Sequence, residues 1–474
     1  MSTLEGEWDI RLAFWNLPRI KDSSAKVPPA RDSLEGMSLH SGHALYDSAY
    51  AKATRDVQGN IVDGKLLAGR RWASVWTRDS SYAIDLGTGL GVPEIAKTTM
   101  RTKTSTDPLG EVWHQDSCRH FGGWPNLTDA IVGAVGAWST YLASGDEEFL
   151  RWSYQVTGNS LARAERDAFD AGSGLFRGCS SFMESNSGYP FRFHSNGARV
   201  RRTKALSTNL LYHRGYTLAA RMAEIFGEDP QPFADKARRL QESINLRLWV
   251  PAKGLYAYYE NEHGRPSSRA EGLGAALAVL WGVADDERAT QIFKNTHITG
   301  HGLPCLWPRY LAWLWHFNDA NYYHNGMVWP FVQAYWARAA AARGQTAIFG
   351  NELAHLANLA GRATTFHEFY RPFTGKPDGS ARQLWSAAGY LSMIHQGLFG
   401  MSFDTTGITF RPVRPAIFQR VVLRGFRYRE MELNLEIDGV GDQMVSFAFD
   451  GHLHEPVIPL NLTGIHKVSI LMGV

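Results

Sequence analysis

From residue 42 to about 400 the chain alternates stretches of helical periodicity with loops rich in glycine, proline and aromatic residues, and this alternation restricts the fold more than any other feature. Apolar residues recur at three- and four-residue spacing over 43–56, 80–104, 127–143, 146–168, 205–226, 231–248, 269–282, 286–296, 327–343, 346–360 and 380–398. The pattern predicts eleven or twelve helices, which fits six helical hairpins closed into a double ring. Two loops echo each other. Gly174-Leu-Phe-Arg-Gly and Gly254-Leu-Tyr-Ala-Tyr each follow a long helical stretch and a turn, a sign of repeated hairpins rather than of a strict solenoid.

The two ends differ from this middle. Residues 1–40, with Pro18, Pro28 and Pro29, read as an irregular N-terminal arm. After 403, Gly407-Ile-Thr-Phe-Arg-Pro, Val421-Val-Leu-Arg-Gly-Phe-Arg-Tyr, Met431-Glu-Leu-Asn-Leu-Glu-Ile and Lys467-Val-Ser-Ile-Leu-Met alternate apolar and polar residues, so 403–474 is expected to be a small antiparallel β-domain packed on a 41–402 barrel. A chain of 474 residues has room for both. Its formal charge of +3 is spread without long basic runs, so no nucleic-acid or membrane partner is expected. Cys118, Cys179 and Cys305 show no CxxC spacing, which points to reduced structural thiols. The N-terminus lacks a basic region followed by an apolar run, and no span of about 18 apolar residues occurs, so a cytoplasmic location is expected, or a periplasmic or secreted one if a signal peptide was trimmed. GxGxxG, Walker and GxSxG motifs are absent at strand-to-helix positions, and no HExxH-like ligand spacing occurs, so neither cofactor nor metal is expected.

The loops hold the chemistry. In Thr365-Phe-His-Glu-Phe-Tyr-Arg-Pro-Phe-Thr-Gly, Glu368 is flanked by Phe366, Phe369 and Tyr370, whose rings could partly desolvate a carboxylate; the alternative is a surface glutamate beside structural aromatics. Ser380 is a candidate N-cap for the helix carrying Trp385. Glu184 lies in Ser180-Ser-Phe-Met-Glu-Ser-Asn-Ser-Gly-Tyr-Pro190, either a second working carboxylate or a loop glutamate. Asp79, in Trp72-Ala-Ser-Val-Trp-Thr-Arg-Asp-Ser-Ser-Tyr82, is an N-cap candidate beside Arg78 and Trp76. Trp113, His114, Gln115 and Asp116 form a polar and aromatic loop, and His324, Asn325 and Trp329 precede a strong helix. Glu271 opens a helix and reads as a complement to its dipole.

Glu368-x-Tyr370-x-Pro372-x-Thr374-Gly375, then Gly379 and Trp385-Ser386-Ala387-Ala388, resembles the catalytic-base motif of glycoside hydrolase family 63, which holds α-glucosidases and mannosylglycerate or glucosylglycerate hydrolases. The resemblance covers most of 70–400. It implies a mainly α fold, an (α/α)6 barrel, and an inverting, exo-acting α-glycosidase with Glu368 as base and Glu184 as acid. Here the acid is Glu where that family usually has Asp. A small α-glucoside or α-mannoside, a disaccharide or glycosylated small molecule, is the implied partner. The resemblance implies Trp76, Arg78, Asp79, Trp113, His114, Gln115, Asp116, His324, Asn325 and Trp329 as sugar contacts, with Arg78 and Asp79 on the hydroxyls, and Tyr189, Tyr370, Gln383 and Trp385, from the two acid-bearing loops, complete them. A lyase, epimerase or phosphorylase on the same barrel, or a non-catalytic sugar-binding protein, are the alternatives.

Overall fold

The computed structural model of the protein describes residues 32–115, 129–182, 188–190, 193, 197–310 and 323–474. Twelve helices of seven residues or more lie among the described residues. They are α1 Ala44–Gln58, α2 Thr77–Ala83, α3 Pro93–Thr102, α4 Val132–Ser144, α5 Glu147–Ala168, α6 Leu206–Ile225, α7 Gln231–Arg247, α8 Gly272–Leu280, α9 Asp286–Asn295, α10 Pro330–Ala342, α11 Thr346–Gly361 and α12 Leu384–Ser392. Odd-numbered helices are amphipathic: α7 buries only Ala237, Leu240 and Ile244, and α9 only Ala289 and Ile292. Even-numbered helices are mostly buried: α8 and α12 are largely apolar, and every residue of α2 and α12 is buried although α2 reads Thr-Arg-Asp-Ser-Ser-Tyr-Ala. A helix with no polar face is stable in water only when other elements enclose it. The even helices accordingly pack in a closed circuit, α2 on α4, α4 on α6, α6 on α8, α8 on α10, α10 on α12 and α12 on α2, with odd helices laid against them.

The principal strands are β1 Ser38–His40, β2 His367–Tyr370, β3 Pro377–Ala381, β4 Val421–Tyr428, β5 Met431–Gly439, β6 Gln443–Phe449 and β7 Gly464–Gly473. The echoed loops are a matched pair of hairpins, Phe169–Asp170 with Leu175–Phe176 after α5 and Trp249–Val250 with Leu255–Tyr256 after α7. Gly174 and Gly254 supply the left-handed turn residue of each, at φ +68° and +57°.

Three expected helices are shortened by strands or breaks. The 80–104 stretch divides because Gly87 takes φ +109° inside a π-turn at Ile84–Thr88 and Pro93 opens a new helix. Ala270–Glu271 pairs with Leu306–Trp307, so α8 begins only at Gly272. The 380–398 stretch loses its start to β3, which pairs with β2, so Ser380 lies in a strand and caps no helix.

At the C-terminal end, β1, β4, β5, β7 and β6 follow one another across a sheet that His452–Leu453 completes at the edge. Residues 38–40 of the expected irregular arm are therefore an edge strand. The expectation of an antiparallel domain needs a correction, since β5 and β7 run parallel from Met431↔Gly464 to Gly439↔Met472. Alternating burial identifies the covered face of a strand but is the same for either direction; the crossover through β6 sets the direction. Leu433, Leu435, Ile437, Val468 and Ile470 belong to the same apolar core as the helices. The Tyr428 hydroxyl donates to the Leu142 carbonyl of α4 at 2.7 Å, fastening the sheet to them. Among the described residues no helix is long and apolar enough to cross a membrane.

Candidate active site

The starts of α2, α10 and α12 and the hairpin β2–β3 meet around Glu368. In that hairpin His367 faces Ala381 and Phe369 faces Asp378, so Glu368 stands opposite two residues, Gly379 and Ser380. This bulge turns the Ser380 N–H onto Glu368 Oε2 at 2.7 Å. Gly379 has φ +73°, and a Cβ there would lie 2.5 Å from the same oxygen, so two independent constraints favour glycine. On the other side, Oε1 accepts from the Trp72 indole N–H at 2.9 Å and from the Tyr323 hydroxyl. Three donors thus converge on one acceptor-only carboxylate that is 2% exposed. Trp72 and Tyr323 are themselves only partly buried, so the carboxylate lies just beneath the surface.

Aromatic rings enclose it. Trp329 stacks between Phe369, at 5.4 Å and 18°, and His324, at 5.0 Å and 15°, and meets Trp385 edge-on. Tyr323 stands edge-on to both Trp329 and Phe369, and Trp76 is edge-on to Trp72. Burial, with the Arg78 guanidinium as the second cause, holds the His324 imidazole well below the usual histidine range. Arg78 and Asp79 are both buried in the first turn of α2. Asp79 is not the N-cap of that helix: Trp76 precedes its first residue, and the Asp79 carboxylate instead accepts from Gln383 Nε2 at 2.9 Å, joining the starts of α2 and α12.

A family model, the mannosylglycerate hydrolase MGH1-like glycoside hydrolase domain, matches residues 75–386, the stretch that carries nearly all of these groups. The chain belongs to that family. A curated mannosylglycerate hydrolase of Rubrobacter radiotolerans is 26% identical over 197 residues, 40% of this chain, and the match spans 43% of that relative's length. Among solved structures, a family 63 mannosylglycerate hydrolase from Thermus thermophilus superposes with a TM-score of 0.58 at 17% identity, over 73% of this chain and all of that one. A family 78 rhamnosidase of Bacillus sp. GL1 gives 0.63 at 16%, over 93% of this chain and 44% of the other. At these identities the two structures speak to the fold, a largely helical one with a C-terminal sheet.

Within the MGH1-like domain, Trp76, Arg78, Asp79, His324, Trp329, Gln383 and Trp385 gather near Glu368, whereas other singled-out residues have different surroundings. Asn325 spends its side-chain amide on the Tyr310 backbone, accepting from N and donating to O at 2.8 Å each. His114 is buried against Gly133 and Trp152 with neither ring nitrogen hydrogen-bonded among the described residues, and burial pushes it down to about 3. Trp113 lies under the Arg163 guanidinium, 4.2 Å from its ring centroid, and Gln115 accepts from Thr77 through its carbonyl. Tyr189 is buried with Phe193, Tyr258 and Tyr259 and shares a hydrogen bond with Thr203. Tyr370 packs with Val328 and Leu359 in a separate small core. Glu184 and Asp116 lie outside the described residues, as does Cys118.

Sequence reasoning overlooked Trp72 and Tyr323 as partners of Glu368. Both stand in stretches it had singled out, but no spacing reveals which N–H or O–H turns to a carboxylate 296 or 45 residues away. It also underrated Glu271. That carboxylate is 1% exposed and accepts from the Ser180 hydroxyl and from the Ser207 N–H and hydroxyl, so it ties the starts of α6 and α8 to the segment that leads toward Glu184. Burial pushes it up to about 7 against the pull of those three donors.

Proposed function

We propose that this MGH1-like domain is an inverting, exo-acting α-glycoside hydrolase acting on a small α-mannoside or α-glucoside. The observation that carries the reading is the Glu368 carboxylate, held on both oxygens beneath an aromatic rim and near the buried Arg78, Asp79 and Gln383. In this reading Glu368 takes a proton from water as the water oxygen bonds to the anomeric carbon. Glu184 gives its proton to the leaving glycosidic oxygen as the old bond breaks, and the two carboxyls stand about 6.5–9.5 Å apart to admit the water. Arg78 and Asp79 hold sugar hydroxyls, while Trp76, Trp329 and Trp385 wall the ring, with His324 and Gln383 behind them. Trp113, His114, Gln115, Asn325, Tyr189 and Tyr370 shape the surrounding loops. The closed circuit of even helices supports an (α/α)6 barrel over 41–402 with a C-terminal β-domain over 403–474. Curated and structural relatives that bear the name mannosylglycerate hydrolase favour a glycosylated small acid as substrate, and one of their structures is described in complex with D-glycerate.

The direct test is hydrolysis of α-mannosyl and α-glucosyl glycerates and simple α-glycosides, with the released anomer followed by proton NMR. Initial appearance of the β-anomer is expected. Initial α-anomer overturns inversion, and no release from any member of the panel overturns the hydrolase reading.

Tyr323→Phe and Trp72→Phe each delete one donor to Glu368 Oε1. A hydrogen bond to a charged group contributes roughly 1.5–3 kcal/mol, so each variant is expected to lose about ten- to a hundred-fold in kcat, with KM within a few-fold. Steady-state kinetics on the best substrate of the panel checks this; an unchanged kcat in both variants means that these donors do not position the base.

A further inference from the structure

A second concavity, of about 390 Å³, shares no lining residue with the Glu368 site. That volume falls in the range of small-molecule sites, roughly 300–1,000 Å³. It lies between the hairpin after α7, the end of α9 and the strand Ala270–Glu271. Its floor is apolar, formed by Leu255, Ala275, Leu303 and Pro304, and one wall is the Trp307 indole, stacked at 3.9 Å and 11° on His297.

Its charge is one-sided. Lys253 Nζ donates to the Ser268 carbonyl at 2.6 Å, and Arg269 Nη1 donates to the Ser268 hydroxyl at 2.6 Å. One serine therefore holds two cations close together, and neither has an ion-pair partner among the described residues. The lining contains a single carboxylate, that of Glu271, and its oxygens are turned to Ser180 and Ser207. His297 adds no further positive charge, because burial lowers its imidazole below the usual range. Two like charges gathered at the mouth of an apolar cavity repel each other until an anion lies between them. The Arg269 guanidinium is further fixed in place over the Tyr310 ring, 4.3 Å from its centroid, so the geometry is preorganised.

We propose that this cavity binds a small organic anion, a carboxylate or phosphate ester on a compact apolar skeleton, with the anionic group bridging Lys253 and Arg269 and the skeleton against Leu255 and Trp307. The site is independent of the reading of Glu368. Titration calorimetry with phenyl phosphate, phenylacetate and the neutral benzyl alcohol tests it, since none of the three carries a sugar. One equivalent of at least one anion is expected to bind, and benzyl alcohol is not. The double variant Lys253→Gln/Arg269→Gln should lose at least about ten-fold in affinity, the value of one charge-assisted contact, while Arg201→Gln, at an exposed arginine outside this cavity with no ion pair among the described residues, should bind as the parent does. The anion that binds more tightly identifies the phosphate or the carboxylate class. Absence of heat with both anions up to about 10 mM, or equal affinity in the double variant, overturns the proposal.

Discussion

Glu368→Gln should abolish most turnover while leaving sugar binding nearly intact. A positioned general base contributes about 10²–10⁴ in rate, and an amide cannot take the proton from water, so a fall in kcat near the middle of that range is expected. The local hydrogen bonding enlarges the effect. Oε1 faces the Trp72 N–H and Oε2 faces the Ser380 N–H, so the amide NH₂ of glutamine meets a donor whichever way it is turned. One donor pair is left unmatched at a cost of about 1–3 kcal/mol, and circular dichroism with a denaturation curve should accompany the kinetics. Glu368→Ala removes that conflict and opens room for an external nucleophile. Added azide, which needs no base, should then attack the anomeric carbon and yield the glycosyl azide of inverted configuration. A Glu368→Gln protein that folds and retains kcat within a few-fold would remove Glu368 from the chemistry.

Glu271 should make folding stability fall as pH rises. Its carboxyl goes from an ordinary 4.5 to about 7 on burial, so the folded state holds the proton more tightly than the unfolded chain. The sign follows from linkage: this contribution is fully present below pH 4.5 and is lost as pH rises through about 7. Its size is on the order of 3 kcal/mol, at 1.36 kcal/mol for each unit of displacement. Glutamine does not titrate, but it has one oxygen where the carboxyl accepts from Ser180 and Ser207 on both, which costs about 1 kcal/mol at every pH. Glu271→Gln is therefore expected to be less stable than the parent at pH 5 and equal or more stable at pH 8. Urea midpoints for both proteins at the two pH values decide this, because other titrating groups cancel in the difference. A difference that does not move with pH means that Glu271 remains ionised when buried. Tyr258 and Cys305, which also face this carboxylate, stay neutral across that range because burial raises both.

Much of the helical scaffold was legible from periodicity. Odd helices such as α7 carry a stripe of apolar residues, even helices such as α8 are apolar throughout, and both patterns are properties of consecutive residues. The boundaries that failed are those where a non-local strand pairing overrode local propensity. Ser380 has the character of a helix cap, yet β3 pairs it into a hairpin whose bulge delivers its N–H to Glu368. The parallel pairing of β5 with β7 was equally hidden, since burial alternates in the same way in either direction.

At the centre of the molecule the division follows the same line. The amino-acid sequence alone determined which carboxylate was worth attention, because aromatic and turn residues around Glu368 are a local matter, and it carried the likeness to a glycosidase family. The tertiary structure decided what the carboxylate touches. Trp72 is 296 residues from Glu368 and Tyr323 is 45 away; Asp79 and Gln383 are 304 apart. Such contacts arise because the helix circuit closes and brings helix starts from opposite ends of the chain to one place. Closure is a property of the whole packed ring, so no window of consecutive residues contains it.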